Sequence, residues 1–395
     1  MRLGVLYQAW KNVISKPLKS VLTVTLLMFG ISMISLFLLM ERQLDNVINK
    51  NVKDIDLVLG ASGSPLQLIM ASVYHIDDPV GNISYPSAKR LVKNVHIESA
   101  IPLSYGDNYG GFRIVGTEHS YVELYNGSMQ SGDLWSEPFQ ATIGFEAAQN
   151  LNLRVGDTFY SAHGLQDQSD VHTDKAFTVV GVLNPNGTVL DQLILTPLES
   201  IWNVHLKDGQ VLAPENQEIT AMLLQTRSKM GMLSFPNIAK NANMQAASPA
   251  IQYNKLTQKF GIGPDMIRAI AYIIIALSFA SLFISVLENV RSRRHELALM
   301  RTMGGKPFGL FNLLILEGGM LTVVGTALGL MLSRVGLWII SGITESKFHY
   351  TFNDWGLIES ELWIAGGADA VGLLASAIPA QLSLLLNISK TLSES

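Results

Sequence analysis

The run VLTVTLLMFGISMISLFLLM, Val21 to Met40, is twenty residues without a charge. Twenty helical residues reach ~30 Å, the thickness of a bilayer's hydrocarbon core. A signal peptide would carry a shorter apolar region and a small-residue cleavage site, whereas Glu41 and Arg42 follow here directly, so the run reads as an uncleaved anchor. Three further apolar stretches follow. Ala269–Leu287 is uncharged, Phe308–Leu332 contains Glu317, and Leu362–Asn387 contains Asp369. The expected spans are therefore 21–40, 266–290, 308–333 and 362–388. Composition agrees, because 15% of residues are charged, against about 25% in soluble domains. A net charge of −4 gives no reason to expect nucleic acid, and the absence of cysteine excludes disulfides and thiolate metal sites.

Basic residues orient the spans, since short loops rich in Lys and Arg stay in the cytoplasm. Arg2, Lys11, Lys16 and Lys19 precede the first span; Arg291, Arg293, Arg294, Arg301 and Lys306 lie between the second and third. Both segments, and the tail 389–395, are expected on the cytoplasmic side. Residues 41–265 then lie outside, with 23 acidic against 15 basic residues, and 334–361 form a second, short outer loop. Leu3, Val5, Leu6, Trp10, Val13 and Ile14 give residues 1–20 the pattern of an amphipathic helix at the inner interface of the lipid bilayer, the alternative being a frayed terminus.

The outer segment reads as α+β. A helical stalk continues to about Lys53. Short strand-like runs follow at Ile55–Leu59, Phe112–Gly116, Phe177–Leu183 and Leu193–Leu195, with Asn184-Pro185-Asn186-Gly187 as a turn. Helical stretches fall at 86–94 and 144–151, and two subdomains are expected.

No P-loop, G-x-S-x-G elbow or H-E-x-x-H pair occurs, so a catalytic site is not expected. His163, Asp167, Asp170, His172 and Asp174 cluster within twelve residues and could wrap a Zn²⁺ ion, although their spacing matches no fixed metal motif and surface loops often carry such residues. Tyr74-His75-Ile76-Asp77-Asp78-Pro79 is a second metal candidate, with a plain helix stop and turn as the simpler account. Glu317 and Asp369 sit inside apolar runs, where ionisable groups serve ion or proton pathways or pair with partners. Asp369 could pair with Arg334 or Lys347, and Gly366, Gly367 and Gly372 suggest a packed helix interface around it. In the cytoplasmic segment 291–307, Leu297, Leu299, Met300 and Met303 form an apolar side that Gly304-Gly305 terminates, suited to docking on a partner or lying on the membrane.

That segment, Arg293-Arg294-His295-Glu296-Leu297-Ala298-Leu299-Met300-Arg301-Thr302-Met303-Gly304-Gly305, resembles the signature of MacB/FtsX-type ABC permeases, DevC and LolC among them. Leu316-Glu317-Gly318, the glycines from Gly325 to Gly329 and Ala377-Ile378-Pro379-Ala380 are similar to the family's third and fourth spans. Ile114-Val115-Gly116-Thr117, Val155-Gly156-Asp157 and Val179-Val180-Gly181-Val182 look like its periplasmic core domain. The resemblance implies a membrane protein of four transmembrane α-helices plus a large α+β periplasmic domain, in the bacterial inner membrane with both termini cytoplasmic. It implies a homodimer working with a separate ATPase subunit that supplies ATP and Mg²⁺ chemistry. Arg293, Arg294, Glu296, Leu297, Leu299, Met300, Arg301, Gly304 and Gly305 would form the coupling helix that contacts this ATPase. ATP-driven movement of the outer domain, called mechanotransmission, would export or release a substrate, with a periplasmic adaptor or lipoprotein as further partner. The alternative within the family is an FtsX-like scaffold for an envelope enzyme. The segments 56–67 and 72–77 resemble a narrower subgroup, permeases encoded beside zinc-related envelope proteins, which points to zinc handling at the histidine loop.

Overall fold

The computed structural model describes residues 2–15, 17–162, 171–204, 206, 212–260, 262–292, 302–303, 307–348 and 355–384. These fall into two compact units, a helical one from residues 1–44 and 260–395 and an α+β one from residues 45–259.

Helix α1 (Arg2–Ser15) leads into α2 (Pro17–Val52). Pro17 suits the first helical turn, where its missing N–H would have had no partner. With 36 residues, α2 is about 54 Å long at 1.5 Å per residue, far beyond the ~30 Å of a hydrocarbon core. It therefore covers the first apolar run and continues as the expected stalk.

The α+β unit opens with β1 (Leu57–Ala61), α3 (Pro65–Ser72), β2 (Ile83–Ser84), α4 (Tyr85–Leu91), β3 (Ile97–Tyr109) and β4 (Phe112–Thr117). Next come α5 (His119–Leu124), β5 (Met129–Gly132), β6 (Gln140–Ile143), α6 (Phe145–Leu151), β7 (Thr158–Ala162), β8 (Val171–Leu183) and β9 (Leu193–Pro197). The unit closes with α7 (Leu198–Asn203), β10 (Glu218–Ile219), β11 (Ala221–Thr226), α8 (Lys229–Asn241), β12 (Met244–Ala247) and α9 (Pro249–Phe260). Three long helices complete the chain, α10 (Ile262–Ser292), α11 (Pro307–Phe348) and α12 (Glu359–Leu384).

Among the described residues ten strands form one sheet in the order β12-β1-β11-β3-β4-β9-β6-β8-β5, with β7 pairing β3 and β8. Two cores line it. Leu57, Leu59, Met222, Leu224 and Phe235 pack at the β1/β11 end; Ile114, Ile143, Phe159, Phe177 and Ile194 pack at the β4/β9/β8 end. The two expected subdomains are thus two cores on one continuous sheet, because the 13-residue β3 pairs with β11 in its first half and β4 in its second. Strand β8 starts at Val171, six residues before the apolar run that marks it in the sequence.

The stalk ends in a socket. Asn51 is fully buried; its Oδ1 accepts from the Val189 N–H at 2.9 Å, and its carbonyl accepts from the Tyr125 hydroxyl at 3.1 Å. The Asp191 carboxylate accepts from the N–H groups of Asn186 and Gly187 in the expected turn, at 3.1 and 2.7 Å, with Gly187 at φ +69°. Asn51→Ala leaves a buried N–H without an acceptor and is expected to cost about 1–3 kcal/mol, read as a lowered urea midpoint of the α+β unit. An unchanged midpoint would show that the socket adds nothing to stability.

Three helical stretches among the described residues are long and apolar enough to cross a membrane: Pro17–Val52, Phe311–Thr344 and Glu359–Gln381. The expected second span lies in α10, whose apolar stretch Tyr272–Glu288 is shorter. Helix α11 runs on to Phe348, so much of the expected outer loop 334–361 is helical.

Candidate functional site

Helix α11 gathers the buried polar contacts of the helical unit. Glu317 is 3% exposed and accepts a hydrogen bond from Asn12 Nδ2 on α1. Ala9 on α1 is buried, and Val13 packs against Leu282, Val286, Leu314 and Leu321. Lys19 at the start of α2 forms an ion pair with Glu288 at the end of α10. Leu6, Tyr7, Trp10 and Ile14 remain exposed on α1. Glu317 thus holds α1 against the bundle, a structural use for a carboxylate in an apolar run.

Asp369 accepts from Thr326 Oγ1 at 3.1 Å. Of the two partners the sequence offers it, Arg334 is not engaged, because that guanidinium is committed to Glu361. Of the three glycines expected to pack around Asp369, only Gly372 does so, against Thr322; Gly366 and Gly367 have open space where a side chain would be. Close packing occurs instead where Gly318 meets Ser376 and Gly325 meets Leu27.

The strongest polar contact of this unit involves a residue that sequence reasoning did not single out. Glu361, fully buried near the start of α12, takes both Arg334 guanidinium nitrogens, one of them at 2.6 Å through Nη2. The Ser35 hydroxyl on α2 also donates to it, and the Ile358 N–H does so at 3.1 Å. Arg334 Nη2 further donates to the Gly356 carbonyl at 2.9 Å, and the Ser35 and Ser333 hydroxyl oxygens lie 2.8 Å apart. One carboxylate thereby joins α2, α11 and α12. The available signal was a hydroxyl, Ser35, one of four hydroxyl-bearing residues in an uncharged run.

In the α+β unit, His163, Asp167 and Asp170 lie outside the described residues. His172 and Asp174 belong to strand β8 rather than to a loop. No group of three or more His, Asp or Glu side chains able to hold a metal occurs among the described residues. His75, in the second metal candidate, is enclosed by two tyrosines. The Tyr105 hydroxyl gives its proton to the Ala71 carbonyl, so His75 Nδ1–H donates to Tyr105 at 2.8 Å and Nε2 accepts from Tyr121 at 2.8 Å. With both nitrogens engaged, the ring has no lone pair for a metal. Burial first, and then the Arg113 charge, push His75 down to about 3. Residues 74–79 are therefore the turn of the simpler account, with His75 at φ +57°.

Arg293, Arg294, Glu296, Leu297, Leu299, Met300, Arg301, Gly304 and Gly305, the expected coupling segment, lie outside the described residues. Residues 20–229 match the MacB-like periplasmic core domain and residues 268–388 the FtsX-like permease C-terminal domain. The first match alone takes in more than half of the chain.

The chain belongs to the MacB/FtsX family of ABC-transporter permeases. As in that family, a periplasmic core domain lies between the first long helix and the permease helices. Membership makes it a multi-pass inner-membrane protein of the permease type. The permease is 22% identical over 243 residues to the lipoprotein-releasing system transmembrane protein LolC of Neisseria meningitidis serogroup B, covering 58% of this chain and 56% of that protein. It thus spans little more than half the length of the curated relative it matches. The periplasmic region of MacB from Actinobacillus actinomycetemcomitans overlays with a TM-score of 0.37 at 13% identity, over 53% of this chain and 97% of that one. The extracellular domain of the Gram-positive transporter YknZ gives 0.32 at 12% identity, over 49% and 99%. At that looseness neither overlay adds to the family assignment, and none of these matches concerns zinc.

Proposed function

We propose that this permease couples ATP hydrolysis in a separate ATPase subunit to movement of its periplasmic core domain, releasing or exporting a substrate at the outer face of the inner membrane. The observation that carries the reading is α2, one unbroken helix from Pro17 to Val52 that belongs to both units and ends in the Asn51 socket. A force applied to such a helix at one end arrives at the other without an intervening loop to absorb it. Four spans, cytoplasmic termini and a homodimer complete the proposal; the open faces of Gly366 and Gly367 leave α12 room for a close helix partner. Residues 293–305 would be the ATPase contact.

The test is affinity purification of the tagged chain in mild detergent. An ABC ATPase is expected to co-purify, and Leu299→Asp, which puts a charge on the apolar side of the coupling segment, is expected to reduce its recovery at least tenfold, because an unpaired charge buried in an interface is costly. A folded, dimeric preparation that brings no ATPase would overturn the proposal and favour the envelope-enzyme scaffold.

A further inference from the structure

We propose that Arg113 is the receiving group of a binding site in the α+β unit for an anionic oxygen ligand, a carboxylate or a phosphate ester, because its buried guanidinium has donors that nothing among the described residues satisfies. This goes beyond the coupling role proposed above and does not depend on it.

Arg113 stands near the start of β4 and is 8% exposed. Its Nε and Nη2 are buried and find no hydrogen-bond acceptor among the described residues. A guanidinium is a planar fork of five donors whose natural complement is the paired oxygens of a carboxylate or phosphate. The Tyr105 ring lies 4.8 Å from its central carbon and favours the charge, but a ring face leaves the N–H groups without lone-pair acceptors. The Asp78 carboxylate is 3.9 Å away, beyond hydrogen-bond range, and its side chain is 83% exposed. The backbone of Asp78 is held in place: its N–H donates to Asp77 Oδ1 at 2.9 Å, and its carbonyl accepts from Gln67 at 3.2 Å. The fold thus brings an acceptor near without delivering it.

Two other costly features converge on the same place. Strand β3 bulges between Tyr105 and Asn108, where Asn108 pairs with Arg113 itself. His75, which touches Tyr105, holds a left-handed backbone, uncommon outside glycine although histidine is one of the residues that tolerate it. Bulges and such strain concentrate at binding sites. His75 stays neutral, so it neither competes with Arg113 for an anion nor repels one by being negative. An arriving oxyanion would enter on the Asp78 side and replace that distant carboxylate.

The experiment uses the full chain in detergent and follows its melting temperature by tryptophan fluorescence, with sodium phosphate or acetate exchanged for chloride at constant ionic strength. A saturable rise of about 3 °C or more is expected in the wild type. It is expected to be absent from Arg113→Met and weakened at least several-fold in Arg113→Lys, which keeps the charge but loses the fork. Asp78→Asn removes the competing carboxylate and is expected to lower the half-saturating concentration several-fold. Should Arg113→Met fail to fold, the lysine variant decides. Response to phosphate alone assigns a phosphate ester, and response to acetate alone a carboxylate. No saturable rise in either the wild type or Asp78→Asn overturns the site. A rise confined to Asp78→Asn makes Asp78 the built-in occupant and also overturns it, as does an equal rise in Arg113→Met, which would be a general effect of excluded salts.

Discussion

Taking the protein from pH 7.5 to 4.5 is expected to weaken its α+β unit by about 2–3 kcal/mol, and His75→Asn is expected to remove most of that loss. In the folded chain His75 sits at about 3, against 6.5 when free, first through burial and then through the Arg113 charge. Between those values the unfolded chain takes up a proton that the folded chain refuses. The stability tied to the neutral ring is therefore complete above pH 6.5 and is lost as the pH falls toward 3. The groups around the ring strengthen this sign. Tyr105 on β3 is pushed upward mainly by burial and stays a phenol, Tyr121 on α5 donates to the ring, and the Arg113 cation on β4 disfavours a second positive charge. Asp191 works the other way. Burial raises its carboxyl, so its contribution to folding grows as the pH falls through that raised value to the ordinary carboxylate value, and over that window it partly masks the loss. Asparagine tolerates the left-handed φ of +57° and cannot titrate, which isolates the ring's protonation from the backbone's needs. Urea midpoints measured from pH 7.5 to 4.5 should converge for the two proteins. Parallel pH slopes would show that His75 does not carry the effect.

The sequence and the structure part company at identifiable places. The long apolar runs were legible because hydrophobicity over twenty residues is a local property, and so was the stalk that prolongs the first of them. Strands such as Phe112–Thr117 and Leu193–Pro197 were legible as apolar runs bounded by turn residues. Their parallel pairing, Ile114 opposite Ile194, was not, because it joins residues eighty positions apart. The same limit explains the sites. Glu317 and Asp369 announce themselves as charges in apolar surroundings, yet their partners Asn12 and Thr326 come from other helices. Glu361 stands beside an apolar run rather than inside it and reads as ordinary loop boundary. His75 illustrates a further ambiguity: histidine among aspartates suggests a metal, and only the positions of Tyr105 and Tyr121 show both ring nitrogens taken.

Breaking the Arg334–Glu361 contact from one side is expected to be the most damaging single change in the helical unit. Glu361 has no exposed surface, and Arg334's side chain is 19% exposed. Glu361→Leu would leave the guanidinium without its main acceptor, and Arg334→Met would leave a fully buried carboxylate with only neutral donors. Removing one partner of a buried pair typically costs 3–5 kcal/mol, whereas replacing both by apolar groups is often neutral. Each single variant should therefore melt about 10 °C lower in detergent, and the double variant Arg334→Met/Glu361→Leu should recover most of that drop. Such non-additivity separates a direct pair from two residues that merely pack well. Ser35→Ala removes one neutral donor and is expected to cost only about 1 kcal/mol. If the double variant instead melts at the sum of the two single losses, the carboxylate is not what ties α2, α11 and α12 together. If it recovers stability yet loses ATPase-coupled activity, the ion pair is retained for the movement of these helices rather than for their cohesion.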